Sequence, residues 1–213
     1  MYVKDNMTVS PVTIGPNLSV SDAMEVMSAN NLHRLPVVDA QNRLVGLLTT
    51  AIIRLNSPNN STTLSVFELN YLLNKLTVKD IMVTKVMTIG EDDLLEEAAT
   101  KMLKNDIGCL PVVDKDNVVR GIITHNDIFA ALINLLGYNH KGIRYVVNVS
   151  EDKPGIMEDI SRIFKEHDVN MSNIAVYYTV RGVEVVVLTY GETDLSDVLK
   201  AAGYNVTDVK TMH

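Results

Sequence analysis

The chain has 213 residues, 46% of them hydrophobic and 21% charged, with a formal net charge of −7. This is the make-up of a soluble globular protein with one large or two modest domains. It has no basic stripe of the kind that non-specific nucleic-acid binding needs, although a local basic pocket for one small anion stays compatible with it. Cys109 is the single cysteine, so no internal disulfide is possible and a reducing compartment is implied. No apolar run approaches the roughly 20 residues of a membrane helix, and Met1-Tyr2-Val3-Lys4-Asp5 lacks the apolar centre of a signal peptide. A cytoplasmic protein is expected, with neither nucleic acid nor membrane as partner.

In chain order the dominant feature is a repeat. Val3-Lys4-Asp5 returns as Val78-Lys79-Asp80, and Thr13-Ile14-Gly15 as Thr88-Ile89-Gly90. Leu35-Pro36-Val37-Val38-Asp39 returns as Leu110-Pro111-Val112-Val113-Asp114, at a constant offset of 75 residues. One supersecondary unit is used twice, and functional clefts are expected where the copies meet. Each copy reads strand, helix, strand, strand, helix. Ser19 and Asp22 form a capping-box pattern before Val20, Ala23, Met24 and Met27; Asp93 and Glu96 take that part before Leu95, Ala98, Ala99 and Met102. Leu35–Val38, Leu44–Leu48, Leu110–Val113 and Val118–Ile123 read as buried strands. The helix after Thr124 is predicted to end near Gly137.

Repeat one covers about 1–56 and repeat two about 77–137. A linker helix is predicted over about 64–76, carrying Val66, Leu69, Leu72, Leu73 and Leu76 on one face. Residues 142–213 hold no copy of the repeat. They predict strand Arg144–Val149, a helix with Pro154 in its first turn, strands Ile174–Val180 and Val183–Tyr190 joined at Arg181-Gly182, a helix with Leu195, Val198, Leu199 and Ala202, and strand Tyr204–Val209. This βαββαβ order is ferredoxin-like, and the fold class is α/β with an α+β second unit.

The two copies disagree at informative places. Thr124-His125-Asn126-Asp127 stands where the first copy has Thr49-Thr50-Ala51-Ile52. Thr124 and Asp127 are a capping box on one reading. On the other, Asp127 accepts hydrogen bonds from a diol such as a ribose, with Thr124 and the helix N-terminus facing the ligand. Before the Pro-Val-Val-Asp stretch the first copy has His33-Arg34 and the second Gly108-Cys109. Arg34 could clamp a phosphate through two parallel hydrogen bonds, with His33 adding another, or the pair could simply be solvated at a strand edge.

At these residues the sequence resembles a tandem pair of CBS domains, a Bateman module. The matching motifs are His33-Arg34-Leu35-Pro36-Val37-Val38-Asp39 and Gly121-Ile122-Ile123-Thr124-His125-Asn126-Asp127, with their equivalents in the other copy, over about residues 1–139. The resemblance implies that adenosine-containing ligands (AMP, ADP or ATP among them) bind in clefts between the copies. One cleft would hold Thr13, His33, Arg34, Thr124 and Asp127. The opposite, degenerate cleft would hold Thr49, Ile52, Thr88, Gly108 and Cys109, without the acid or the arginine. Asp152-Lys153-Pro154-Gly155-Ile156 and Val169-Asn170-Met171-Ser172-Asn173-Ile174 resemble an ACT domain. That resemblance implies a small effector such as an amino acid at Asp152, Gly155, Asn170 and Asn173, although Pro-Gly is also plain helix-start chemistry and Asn170 suits a turn. The combination is similar to the acetoin-utilisation AcuB-like family, and it implies a homodimer.

No catalytic constellation is visible. The histidines at 33, 125, 140, 167 and 213 are scattered, no zinc spacing exists, and neither a Walker-type loop nor a Gly-x-Ser-x-Gly elbow occurs. The expected function is a non-enzymatic sensor of adenine nucleotide, without metal or catalytic cofactor. An interaction scaffold that dimerises without ligand is the alternative. A nucleotide hydrolase using Asp127 or His125 as base is a third and weaker reading.

Overall fold

The computed structural model describes residues 1–56, 75–149, 153–180 and 182–212. The helix read over 64–76 falls outside these except for its last two residues, as do Asp152 and Arg181. The chain divides into two compact units, Met1–Ile128 and Phe129–His213.

The first unit holds both repeats. Repeat one contains β1 (Thr8–Val9), α1 (Val20–Ala29), β2 (Arg34–Val38), β3 (Leu44–Thr49) and α2 (Thr50–Asn56). Repeat two contains α3 (Val78–Ile81), α4 (Leu95–Asn105), β4 (Cys109–Val113), β5 (Val119–Thr124) and α5 (His125–Leu135). The hairpins β2–β3 and β4–β5 carry matching registers, Arg34 opposite Thr49 and Cys109 opposite Thr124. Their turns are fixed by the last residue of the repeated motif. Asp39 Oδ1 accepts from the Gln41 and Arg43 amides, and Asp114 Oδ1 from the Asp116 and Val118 amides, each at 2.9 Å. A short Asp side chain mimics a backbone turn in this way.

The copies are interlocked by their leading segments. β1 of repeat one pairs with β5 of repeat two, Thr8 opposite Ile122. Val83 of repeat two returns the contact, exchanging hydrogen bonds with Leu47 in β3 at 2.9 and 3.0 Å. The Val3 amide donates to Asp93 O at 3.0 Å, and its repeat equivalent Val78 donates to Leu18 O at 2.9 Å. Val78 is fully buried in the repeat-one core with Val20, Ala23, Leu35, Val37 and Leu48. Neither repeat completes its own core, so the pair folds as one body.

Helix α1 starts at the predicted Ser19, whose Oγ accepts from the Asp22 amide at 3.0 Å, but among the described residues the Asp22 carboxylate does not bond back to the Ser19 amide, so only half of the expected capping box forms. In α4 the cap differs from the Asp93/Glu96 expectation. Asp93 Oδ2 is taken by the Gly90 amide at 2.9 Å, closing the preceding turn. The helix therefore begins one residue later, and Glu97 reaches back to the Leu94 amide at 3.3 Å.

The division between units falls inside α5, so the last turns of that helix belong to the second unit with β6 (Gly142–Val149), α6 (Ile156–Glu166), β7 (Met171–Thr179), β8 (Gly182–Thr189), α7 (Ser196–Ala201) and β9 (Asn205–Met212). The four strands are antiparallel in the order β7-β8-β6-β9, which is the ferredoxin-like arrangement. Alternation along β6 sends Ile143, Tyr145, Val147 and Val149 to one face, where α6 adds Ile156, Ile160 and Phe164. Tyr145 packs edge-on to Phe164 at 5.5 Å, and its buried hydroxyl is satisfied by Thr193 O at 3.1 Å and the Leu195 amide at 3.0 Å. Pro154 does not sit in the first turn of α6. Gly155 takes a left-handed φ of +98° as N-cap and turns the chain, which leaves Pro154 ahead of the helix.

Candidate functional site

The ends of β2 and β4 and the start of α5 meet at the junction of the repeats. Thr124 and Asp127 form the capping box. Asp127 Oδ2 accepts from the Thr124 amide at 2.7 Å and from its hydroxyl at 2.8 Å, and the Asp127 amide donates to Thr124 Oγ1 at 3.4 Å. Only one carboxylate oxygen is used. Among the described residues nothing donates to Oδ1, and the side chain is half-buried. A carboxylate has lone pairs for several donors, so the structural and ligand-binding readings of Asp127 are compatible. In repeat one Thr49 Oγ1 accepts from the Ile52 amide at 3.2 Å and starts α2 without an acid.

Arg34 crosses the junction. Its Nη2 lies 2.8 Å, and His125 Nδ1 3.0 Å, from the point a Cβ would occupy on Gly108. His125 Nδ1 is also 3.2 Å from Gly108 O, a group that can only accept, so this nitrogen carries the proton. The His33-Arg34 versus Gly108-Cys109 asymmetry is thus complementary: the long cation of one copy needs the missing side chain of the other. Sequence reasoning put Arg34 and Gly108 in opposite clefts, whereas the fold lays one on the other. The signal was present in the large dipeptide His33-Arg34 standing against the small dipeptide Gly108-Cys109 at the repeat offset. Gly108 itself, as the seat for Arg34 and for the His125 ring, was not recognised.

The remaining residues make local contacts. Thr13 is half-buried beside Ile14, whose amide donates to Pro36 O in β2 at 3.1 Å. His33 is exposed, and its carbonyl accepts from the Thr50 amide at 3.0 Å. The Thr88 carbonyl accepts from Lys101 Nζ at 3.3 Å. Cys109 is buried, and burial pushes its thiol up while the positive charge of Arg34 pulls the other way.

In the second unit Asp152 lies outside the described residues, and the other three proposed effector residues, Gly155, Asn170 and Asn173, do not converge. Gly155 lines a cavity of about 300 Å³ on the helix side of the sheet, with Lys153, Met157, Val176 and Tyr178. Asn173 lines a different cavity on the opposite side. The cause is a β-bulge: Met171 pairs with Thr189, but Asn173 pairs with the adjacent Leu188. One extra residue reverses the facing of everything after it. Asn170 is exposed and lines neither cavity.

The family model described as CBS domain matches residues 3–54 and 78–134, just over half of the chain. The chain belongs to the CBS-domain family. A CBS domain-containing protein of Dictyostelium discoideum is 34% identical over 142 residues, covering 64% of this chain and 94% of that protein. L-aspartate semialdehyde sulfurtransferase of Methanocaldococcus jannaschii is 33% identical over 126 residues, but they span only 22% of its length and 59% of this chain. Three solved CBS structures resemble the chain. A Vibrio cholerae protein provisionally named acetoin utilization protein (AcuB) gives a TM-score of 0.54 at 32% identity, covering 64% of this chain and 93% of that one. The CBS domain pair of protein MJ0100, in complex with 5′-methylthioadenosine and S-adenosyl-L-methionine, gives 0.52 at 31%, covering 63% and 97%. CBSX2 of Arabidopsis thaliana, solved in complex with AMP, gives 0.53 at 28%, covering 62% and 96%. Among the described residues no helix is long and apolar enough to cross a membrane.

Proposed function

We propose that this protein is a regulatory sensor whose CBS pair binds an adenosine compound, an adenine nucleotide or S-adenosylmethionine, at the junction of its repeats. The observation that carries the proposal is the Asp127 carboxylate. One of its oxygens caps α5 and the other has no donor among the described residues, on the same turn as His125, which Arg34 approaches at Gly108. An acid that accepts from a ribose diol and a guanidinium for a phosphate or carboxylate are the groups such a ligand needs. The related CBS pairs solved with methylthioadenosine, S-adenosylmethionine or AMP support the same class. In this reading Thr13, His33, Arg34, Thr124 and Asp127 line the binding cleft. The cleft of Thr49, Thr88 and Cys109, lacking an acid, binds weakly. The protein carries no catalysis of its own.

The second unit is an ACT domain in this proposal. Its effector cavity is the one beside Gly155, and its β7 edge is the dimer contact. Among the described residues that edge pairs only with β8, and it exposes Ile174, Val176, Tyr178 and Val180. An uncovered apolar edge is a template for pairing with a second copy. The AcuB-like assignment adds the same expectation of a homodimer.

Calorimetric titration with AMP and with S-adenosylmethionine tests the sensor, with Asp127→Ala alongside. The variant should fold, at a cost of about 1 kcal/mol for the lost cap, and should lose most of the affinity. Undiminished binding by Asp127→Ala, or no binding by the parent, rejects the assignment. Sedimentation of the parent against Val176→Lys tests the dimer.

A further inference from the structure

The face of the second unit's sheet opposite α6 and α7 carries a cavity of about 430 Å³, within the roughly 300–1,000 Å³ of small-molecule sites. We propose that it is a second binding site, distinct from the nucleotide cleft, for a small amphipathic monocarboxylate: one carboxylate on a short apolar chain or ring.

The argument starts from register. Lys210, Arg144, Leu188 and Asn173 lie opposite one another across β9, β6, β8 and β7. At about 4.8 Å per strand this row is about 14 Å long. It is cationic at one end, apolar in the middle and amidic at the other end. Lys210 and Arg144 are like charges directly opposite, a pairing that costs stability unless an anion lies between them. Asp208 neutralises only Arg144, at 3.6 Å. Among the described residues no carboxylate comes within ion-pair distance of Lys210. The cluster therefore carries one net positive charge and suits a monoanion, while Asp208 repels a dianion such as phosphate.

The rest of the cavity is mainly apolar, with the Tyr138 and Tyr177 side chains also lining it. Ala175, Val186 and Leu188 form the floor, and Ile133 and Leu136 of the α5 end form the opposite wall. That wall is held in place. Asn173 Nδ2 donates to Leu135 O, and the helix ends in a Schellman motif, Tyr138 N to Ile133 O at 3.2 Å, around Gly137 with φ +70°. Burial of the ligand's carbon chain between floor and wall supplies affinity, and the unpaired cation supplies orientation.

The test is calorimetric titration of the full chain with sodium hexanoate and, as the uncharged equivalent, hexanamide. Expected are saturable binding of hexanoate, at least tenfold weaker binding of hexanamide, and roughly tenfold loss of hexanoate affinity in Lys210→Gln. Ala175→Phe, which fills the floor, should abolish binding. Lys210 is exposed, so its variant folds and keeps the test decisive even if Ala175→Phe does not. The ε-methyl resonance of Met212, which lines the cavity, should shift with hexanoate and stay fixed with AMP. No saturable binding, equal affinity for hexanamide, an unaffected Lys210→Gln, or an unmoved Met212 methyl would each overturn the site. All of these outcomes are independent of nucleotide binding.

Discussion

Gly108→Ala separates the role of Arg34 from that of the fold. The new Cβ would stand 2.8 Å from Arg34 Nη2 and 3.0 Å from His125 Nδ1. Overpacking costs about 1–3 kcal/mol, but here the nearest atom is the tip of a flexible side chain, so the low end applies. Gly108 lies outside the left-handed region, and Gly→Ala at such a site recovers about 0.4–1 kcal/mol by restricting the unfolded chain. The two contributions nearly cancel, and thermal unfolding should move by no more than about 2–4 °C. Ligand binding should respond far more. Displacing Arg34 removes a charge-assisted hydrogen bond of about 1.5–3 kcal/mol, a loss of about 10- to 150-fold in AMP affinity. Parallel thermal unfolding and AMP titration of parent, Gly108→Ala and Arg34→Gln provide the assay. If Gly108→Ala binds AMP as tightly as the parent, or if it loses several kcal/mol of stability, the reasoning fails.

Gly142→Ala should behave in the opposite way, because its Cβ would fall 1.7 Å from Thr189 O, a backbone atom that cannot step aside. We expect a loss of about 3 kcal/mol or more, read as a drop of roughly 12 °C or more in the unfolding of the second unit. Cys109 should resist iodoacetamide at neutral pH in the native state and react once urea unfolds the chain, because burial raises its thiol pKa. Rapid native labelling would contradict its burial. Asp39 and Asp114 are held below the ordinary carboxylate value of 3.8 by the Arg43 and Val118 amides respectively, and Asp80 by the Thr77 hydroxyl. Groups depressed in the folded state contribute stability that is complete above the unfolded pKa and is lost as pH falls through the folded one. Urea midpoints should therefore fall below about pH 4, and Asp39→Asn with Asp114→Asn should flatten that limb.

Much of the fold was legible because its signals are local. The repeat at an offset of 75 residues is visible in Pro36 and Pro111 without alignment gaps. Short apolar runs marked the hairpin strands, and a 3.6-residue period marked α1, α4 and α6. The capping pair Thr124/Asp127 was readable for the same reason, since an N-cap and its N3 partner are three residues apart. What the sequence hid were choices between equivalent local solutions. The Asp93 carboxylate could cap α4 or close the turn at Gly90, and the competition was settled by where Met1 O meets the Leu95 amide, at 3.0 Å, from the other repeat.

By itself, then, the sequence determined that one unit is used twice, which residues form its apolar faces, and that a βαββαβ unit follows. Those properties depend on neighbours a few residues away. Only the tertiary structure decided that β1 joins the other repeat's sheet, that Arg34 rests on Gly108, and that Asn173 faces away from Gly155. The first two bring together groups distant in sequence, for which composition and period carry no distance information. The third follows from one unpaired residue at the Met171/Asn173 bulge, because a strand has a period of two and a single insertion inverts every side chain beyond it.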